Sequence, residues 1–152
     1  MGASTLYLVL ALGGDRYALE AASVVEVLPV VRLKHLPGAP SGVAGLMNFR
    51  GAAVPVIDLG LLAGGGATPA STAARIIVMR LADAAAPGLL ALLVPSARDT
   101  ARVEASAFAE PRVTGSARWP GAVATTPDGV LQRVRVAELL TAELRAALDL
   151  AA

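Results

Sequence analysis

The chain has 152 residues, of which 55% are hydrophobic but only 3% aromatic, so a domain of this length must build its core from Val, Leu, Ile and Ala. Its 13 basic and 12 acidic residues give a net charge of +1, which provides no electrostatic basis for nucleic-acid binding. The lack of cysteine excludes disulfides and thiolate metal sites.

Membrane insertion is not expected, although the sequence is hydrophobic overall. Glycine and proline interrupt every long uncharged stretch, so none reaches the roughly 18 consecutive apolar residues of a membrane-spanning helix. The first residues lack the basic segment that begins a secretory signal peptide, and Gly13, Gly14 and Asp15 form a predicted turn soon afterwards. These features predict a cytoplasmic protein.

Apolar runs separated by turn residues predict about ten short β-strands, the pattern of an all-β small-barrel or sandwich fold. We expect strands at residues 6–12, 16–19, 24–31, 43–49, 52–57, 74–81, 88–94, 98–103, 121–126 and 129–136. They form two blocks, one ending near residue 62 and one starting near residue 74, which favours two half-domains. Leucines at positions 139, 140, 144 and 148 have helical spacing and predict a C-terminal helix over residues 137–150.

The stretch 41–62 is predicted to form an apolar hairpin with a polar corner at Asn48, Arg50 and Gly51. Pro55 lacks an N–H, so the second strand is either an edge strand or has that side unpaired. Asp58 is placed to cap a helical turn over residues 59–62, and residues 63–72 are predicted to form a flexible surface loop. Arg50 is either a solvated turn residue or a fixed cation that faces a partner.

The remaining polar residues give no sign of catalysis or metal binding. Glu26 interrupts the apolar third strand, as its solvent-facing member or as the partner of a cation on a neighbouring strand. His35 is the only histidine and is expected to be an exposed loop residue, because a metal site needs several ligands. The best case for an enzyme would be carboxylate chemistry by a pair among Asp58, Asp83, Asp99 and Glu104. No spacing directs two of these carboxylates to one site, so we predict that the protein is not an enzyme.

Taken together, these segments resemble the CheW-like family of bacterial chemotaxis coupling proteins. The resemblance rests on an opening strand followed by R-Y-A-L at 16–19, V-V-E-V at 24–27 and L-P-G-A-P at 36–40. Its most specific part is G-V-A-G-L-M-N-F-R-G at 42–51, which runs into V-P-V-I-D-L at 54–59. The similarity covers nearly the whole chain, closely up to residue 62 and more loosely afterwards.

The resemblance implies a particular architecture. It predicts two small five-stranded barrels of the SH3 type with a C-terminal helix, together forming one CheW-like domain over residues 1–152. The half-barrels are expected at about 16–72 and 73–136. Strand 5–12 and the helix at 137–150 are expected to close them.

The resemblance also implies a non-catalytic adaptor that needs no cofactor or metal. Its expected partners are the cytoplasmic tip of a chemoreceptor and the regulatory domain of a CheA-type histidine kinase. In the family, the motif arginine and the third-strand glutamate lie close together near the receptor contact. The residues that match these partner-binding or coupling positions and the corner motif are Val24, Glu26, Gly45, Asn48, Arg50 and Gly51.

The second half departs from the family pattern. Pro95 follows Val94 where an aspartate is usual, and the last strand carries three polar residues, Gln132, Arg133 and Arg135. These changes leave the identity of the kinase partner open. Independently of them, two alternatives to the chemotaxis adaptor remain. One is a scaffold with a redirected partner, such as a chemosensory system for pili or development; the other is a β-barrel sensor that binds a small ligand.

Overall fold

The computed structural model describes residues 4–81 and 88–139, which contain ten β-strands, two short α-helical segments and two 3₁₀ turns, at 21–23 and 105–107. The strands are β1 (Ser4–Leu12), β2 (Asp15–Glu20), β3 (Val24–Pro29), β4 (Val43–Phe49), β5 (Ala52–Asp58), β6 (Arg75–Arg80), β7 (Leu89–Val94), β8 (Ser96–Glu104), β9 (Pro120–Thr126) and β10 (Gly129–Val134). The helices are α1 (Leu59–Leu62) and α2 (Val136–Leu139). The prediction of a mainly β chain is confirmed. Of the predicted C-terminal helix, residues 140–150 lie outside the described residues.

The strands form two five-stranded sheets, with the order β8-β1-β2-β10-β9 in the first sheet and β3-β6-β7-β5-β4 in the second. Each sheet therefore takes strands from both halves of the chain. In the structure β2 lies in the first sheet, while β6 and β7 lie in the second; the division into half-barrels at about 16–72 and 73–136 stays a prediction. Local hydrophobicity locates a hairpin but does not specify which sheet it joins.

The chain follows the same path twice. Strands β1 and β2 lie in the first sheet and β3 to β5 in the second, whereas β6 and β7 lie in the second and β8 to β10 in the first. In each repeat the third strand is at one sheet edge and the fourth at the other. In each repeat the fifth strand pairs in parallel with the second strand of the other repeat.

Both sheets curl so that the segment after one edge strand returns to the opposite edge. Lys34 and Leu46 exchange backbone hydrogen bonds of 2.7 and 2.9 Å after β3, and Ala109 and Val123 exchange two of 2.8 Å after β8. No continuous ladder joins the edge strands of either sheet within the described residues. The sheets are thus strongly curved, and fully closed barrels remain an expectation from the resemblance.

The curled sheets enclose three apolar clusters. One lies within the first sheet and includes Tyr7, Ala18 and Leu131, and another lies within the second sheet and includes Val56 and Ile76. The third is shared by both sheets: Leu10, Leu19, Ile77, Leu90, Leu92 and Trp119. Successive residues of a strand point to opposite faces, so the central strands are buried on both sides and carry nearly continuous apolar sequences.

Trp119 packs against Tyr17 at the margin of the shared core, with the ring centroids 5.1 Å apart. Burial raises the pKa of the Tyr17 hydroxyl above its usual value, and the Asp15 carboxylate raises this pKa further. The hydroxyl is therefore neutral at physiological pH. Both rings strengthen a core that otherwise has few aromatic side chains.

Pro55 occupies a position where its missing N–H costs no bond to β4. It lies opposite Leu46, whose own N–H and C=O bond to Lys34 on the other side. The parallel pairing of β5 with β7 begins only at Val56. Of the two alternatives for this strand, an unpaired N–H side is therefore the one observed, and β5 is an interior strand.

Asp58 is the one buried charged residue of the described part, with 5% of its surface exposed. One carboxylate oxygen accepts from the Leu61 N–H at 3.1 Å, which confirms the predicted cap of α1. The two oxygens also accept from the Thr68 hydroxyl at 2.6 Å and from its N–H at 2.8 Å. Asp58 therefore anchors the segment that the composition predicts to be a flexible loop.

We expect the substitution Asp58→Ala to lower the free energy of unfolding by about 2–4 kcal/mol, because it removes a helix cap and leaves three partly buried donors without their acceptor. Urea denaturation measures the change. Asp99→Ala, at an exposed position on β8, is the matched control and should change stability by about 0.5 kcal/mol or less. Equal effects of the two substitutions would contradict the anchoring role of Asp58.

Candidate functional site

The polar corner predicted from the sequence is a two-residue turn between β4 and β5. Arg50 and Gly51 both have positive φ angles, 50° and 87°, as a type I′ hairpin turn requires. The Asn48 side-chain oxygen accepts a 2.9 Å hydrogen bond from the Gly51 N–H. Asn48 and Gly51 thereby hold the turn in shape, while Arg50 is the only non-glycine residue of the described part with a positive φ.

Arg50 forms an ion pair with Glu26, in which an Nη donates to Oε1 at 2.7 Å. Glu26 lies on β3 and Arg50 follows β4, the two edge strands of the second sheet, so the curvature of that sheet brings the pair together. The side chains are 68% exposed for Arg50 and 36% for Glu26. Such an exposed pair contributes only about 0–1 kcal/mol to stability, so its main effect is to orient the guanidinium.

The Phe49 ring provides a second constraint on Arg50. The guanidinium carbon lies 4.7 Å from the ring centroid, while Phe49 itself is buried in the core of the second sheet. A cation over an aromatic face gains about 0.5–1 kcal/mol at exposed sites. Phe49 is not among the site residues predicted from the sequence, although its place between Asn48 and Arg50 in the motif was a usable signal.

Gly45 lies near the start of β4, at an irregularity of the pairing with β5. Its φ is 149°, and a Cβ at this position would lie 2.5 Å from the Lys34 carbonyl oxygen. Gly45 therefore permits the close approach that forms the Lys34–Leu46 bridge. Lys34 was not predicted to take part in this corner, because a proline-rich loop gives no indication of strand pairing.

Val24 is half-buried at the start of β3 and packs against the shared core. The pairing of β3 with β6 is irregular between Val24 and Glu26, and this irregularity lets Val25 face the core of the second sheet while Glu26 faces outward. The structure thus unites Glu26, Asn48, Arg50 and Gly51 at one corner. Gly45 and Val24 support the two strands that carry it.

The other polar candidates that lie within the described residues do not form a reactive site. Both oxygens of Asp58 are engaged in hydrogen bonds, Asp99 and Glu104 are exposed on β8, and Asp83 lies outside the described residues. His35 is exposed, and its carbonyl accepts from the Lys34 Nζ at 2.9 Å. Within residues 4–81 and 88–139, no three potential side-chain ligands are grouped to hold a metal ion, and no helix is long and apolar enough to cross a membrane.

Two glycine substitutions separate steric clash from backbone strain. A Cβ added in Gly51→Ala would meet no atom within 4 Å, so only the positive φ is unfavourable, and the free energy of unfolding should fall by about 1–2 kcal/mol. Gly45→Ala combines strain with the clash at the Lys34 oxygen and should destabilise the protein more. Urea denaturation gives both values, and a smaller loss for Gly45→Ala would contradict the close-approach role.

Comparisons with known proteins agree with this architecture. The family model for the CheW-like domain matches residues 6–144. The structure is similar to the crystal structure of the scaffolding protein TtCheW from Thermoanaerobacter tengcongensis, with a TM-score of 0.77 and 23% sequence identity over 88% of this chain and 85% of that chain. At this level of identity the structural match establishes the fold. On the strength of the family match across almost its whole length, the chain belongs to the CheW-like domain family, whose members are scaffold proteins of chemotaxis signalling.

Proposed function

We propose that this protein is a non-catalytic adaptor that links the cytoplasmic tip of a chemoreceptor to the regulatory domain of a CheA-type histidine kinase. The observation that carries the proposal is the Arg50 guanidinium, which is largely exposed yet held in one orientation by Glu26 and Phe49. The proposal places the protein in the cytoplasm, from which it joins membrane receptor arrays through its partners.

Prior orientation of Arg50 favours binding. A flexible arginine loses side-chain entropy when a partner fixes it, at a cost of roughly 0.5–1.5 kcal/mol. Here the ion pair, the aromatic contact and the turn have already restricted the side chain. Only one Nη bonds to Glu26, so other N–H donors of the guanidinium remain for a carboxylate or carbonyl of the receptor.

The surface beside the ion pair also suits a helical partner. Val27 on β3 and Val31 just after it are 39% and 40% exposed, although both are apolar. Exposed aliphatic side chains in the same segment of chain as the carboxylate that holds Arg50 suit an amphipathic helix that presents an apolar face with a polar rim. The receptor tip is a helical hairpin, so we assign the Glu26–Arg50 corner and the adjacent part of β3 to the receptor contact.

A coupling protein must bind the receptor and the kinase at the same time, so the kinase needs a separate surface. The family resemblance assigns kinase docking to the ends of the two barrels. Loss of the Arg50 side chain should therefore weaken the receptor complex alone. This selectivity distinguishes removal of a contact from general damage to the fold.

Arg50→Asn is the most informative variant, because asparagine accepts a positive φ and Asn-Gly is a favoured type I′ turn. The turn should be as stable as before or more so, while the guanidinium is lost. We expect calorimetric titration with a receptor-tip helical hairpin to show affinity reduced about tenfold or more, as for loss of a charge-assisted hydrogen bond at an interface. Titration with the kinase regulatory domain should give an unchanged affinity.

Arg102→Asn is the matched control, since Arg102 is an exposed arginine on β8 of the other sheet. It should leave both affinities unchanged. Glu26→Gln keeps the Arg50 cation but removes the carboxylate that orients it. It should weaken receptor binding less than Arg50→Asn does. Full receptor binding by Arg50→Asn would disprove the assigned contact, and the lack of any binding by the native protein to either partner would disprove the adaptor function.

A further inference from the structure

The first sheet carries a surface cavity of about 530 Å³, and two of the polar residues noted near the last strand, Gln132 and Arg135, line it. It lies between the segment 110–118 and the adjoining parts of β9 and β10, and its volume is within the range of small-molecule pockets, about 300–1,000 Å³. Pro111, Val113 and Ala117 form apolar parts of its wall. Its charged groups are Glu110, Arg118 and Arg135.

The internal repeat shows how this corner differs from its counterpart. The N–H of Asp58 donates to the Gly42 carbonyl at 2.8 Å just before α1, and the N–H of Arg135 donates to the Trp119 carbonyl at 2.7 Å just before α2. Arg135 therefore occupies the position equivalent to Asp58. The first repeat places a buried and fully bonded carboxylate there, whereas the second places a guanidinium at the wall of a cavity.

The Arg135 side chain has a defined place. A Cβ on Gly121 would lie 3.1 Å from its Cγ and Nε, so glycine at 121 leaves room for the arginine. The Gln132 side-chain amide donates to the Gly121 carbonyl at 2.9 Å and also lines the cavity. One Arg135 Nη bonds to Glu110 at 2.7 Å, and the two side chains are 44% and 70% exposed.

We propose that this cavity binds a small organic anion, bearing a carboxylate or a phosphate, through Arg118 and Arg135. Arg118 forms no hydrogen bond or ion pair with any described residue, so its charge is available to a ligand. An exposed ion pair such as Glu110–Arg135 is weak, so an incoming oxyanion can replace Glu110 or use the other N–H donors of Arg135. The apolar wall accommodates the carbon body of the ligand. This site is independent of the Arg50 corner.

Citrate and glycerol 3-phosphate are suitable probes, because they present the two oxyanion types on compact bodies. Each is titrated into the ¹⁵N-labelled full chain at low ionic strength, and amide chemical shifts locate the site. Fluorescence of Trp119, the only tryptophan, supplies an independent affinity from a residue between Arg118 and Pro120. We expect shifts confined mainly to residues 110–118, 120–121 and 132–135, with affinity that falls as salt is added. Binding of one probe alone identifies the preferred oxyanion.

Three variants and a control test the assigned roles. Arg118→Gln and Arg135→Gln should each weaken binding about tenfold, since each removes a charge-assisted hydrogen bond. Glu110→Gln should strengthen it several-fold, because Arg135 loses its competing carboxylate, and a merely destabilised variant would not gain affinity. Arg102→Gln, which removes a positive charge elsewhere, should leave the affinity unchanged. The proposal is overturned by the absence of shifts with both probes, by shifts centred on the Glu26–Arg50 corner, or by equal affinities in all four variants.

Discussion

The apolar core shared by the two sheets is the interaction on which the rest of the structure depends. Each repeat places two strands in one sheet and three in the other, so neither sheet is complete without the other repeat. Leu10 and Leu19 meet Ile77 and Leu92 across the interface, and all four are almost fully buried. Burial of such side chains contributes about 1.5–3 kcal/mol each, which ties the two sheets into one cooperative unit.

The Glu26–Arg50 corner exists because the second sheet curls around its own core. Glu26 and Arg50 lie on opposite edges of that sheet and would be far apart if it were flat. The Lys34–Leu46 bridge, which requires Gly45, fixes the curvature through backbone hydrogen bonds. Substitution of Gly45 should therefore disturb the sheet curvature that brings Glu26 and Arg50 together.

The repeat also shows how one backbone supports two kinds of corner. At Asp58 the chain uses a buried carboxylate to anchor a loop and cap a helix. At Arg135 the same backbone bond is retained, but the side chain lies at the surface beside a cavity. Since backbone geometry depends little on these side chains, the second corner can acquire a different chemistry without loss of the fold.

From the sequence, the ten strands, the Asx-capped turn at Asp58 and the polar corner at Arg50 were predictable, because alternation, glycine and proline positions and capping residues are local signals. The assignment of β2 to the first sheet and of β6 and β7 to the second was not predictable, because the composition of a strand does not indicate which sheet it joins. The ordering of residue 68 by Asp58 and the Arg135–Glu110 pair also depend on contacts distant in sequence. The sequence by itself thus determined the elements and the residues of the candidate site, and only tertiary packing decided which strands pair and which charges meet.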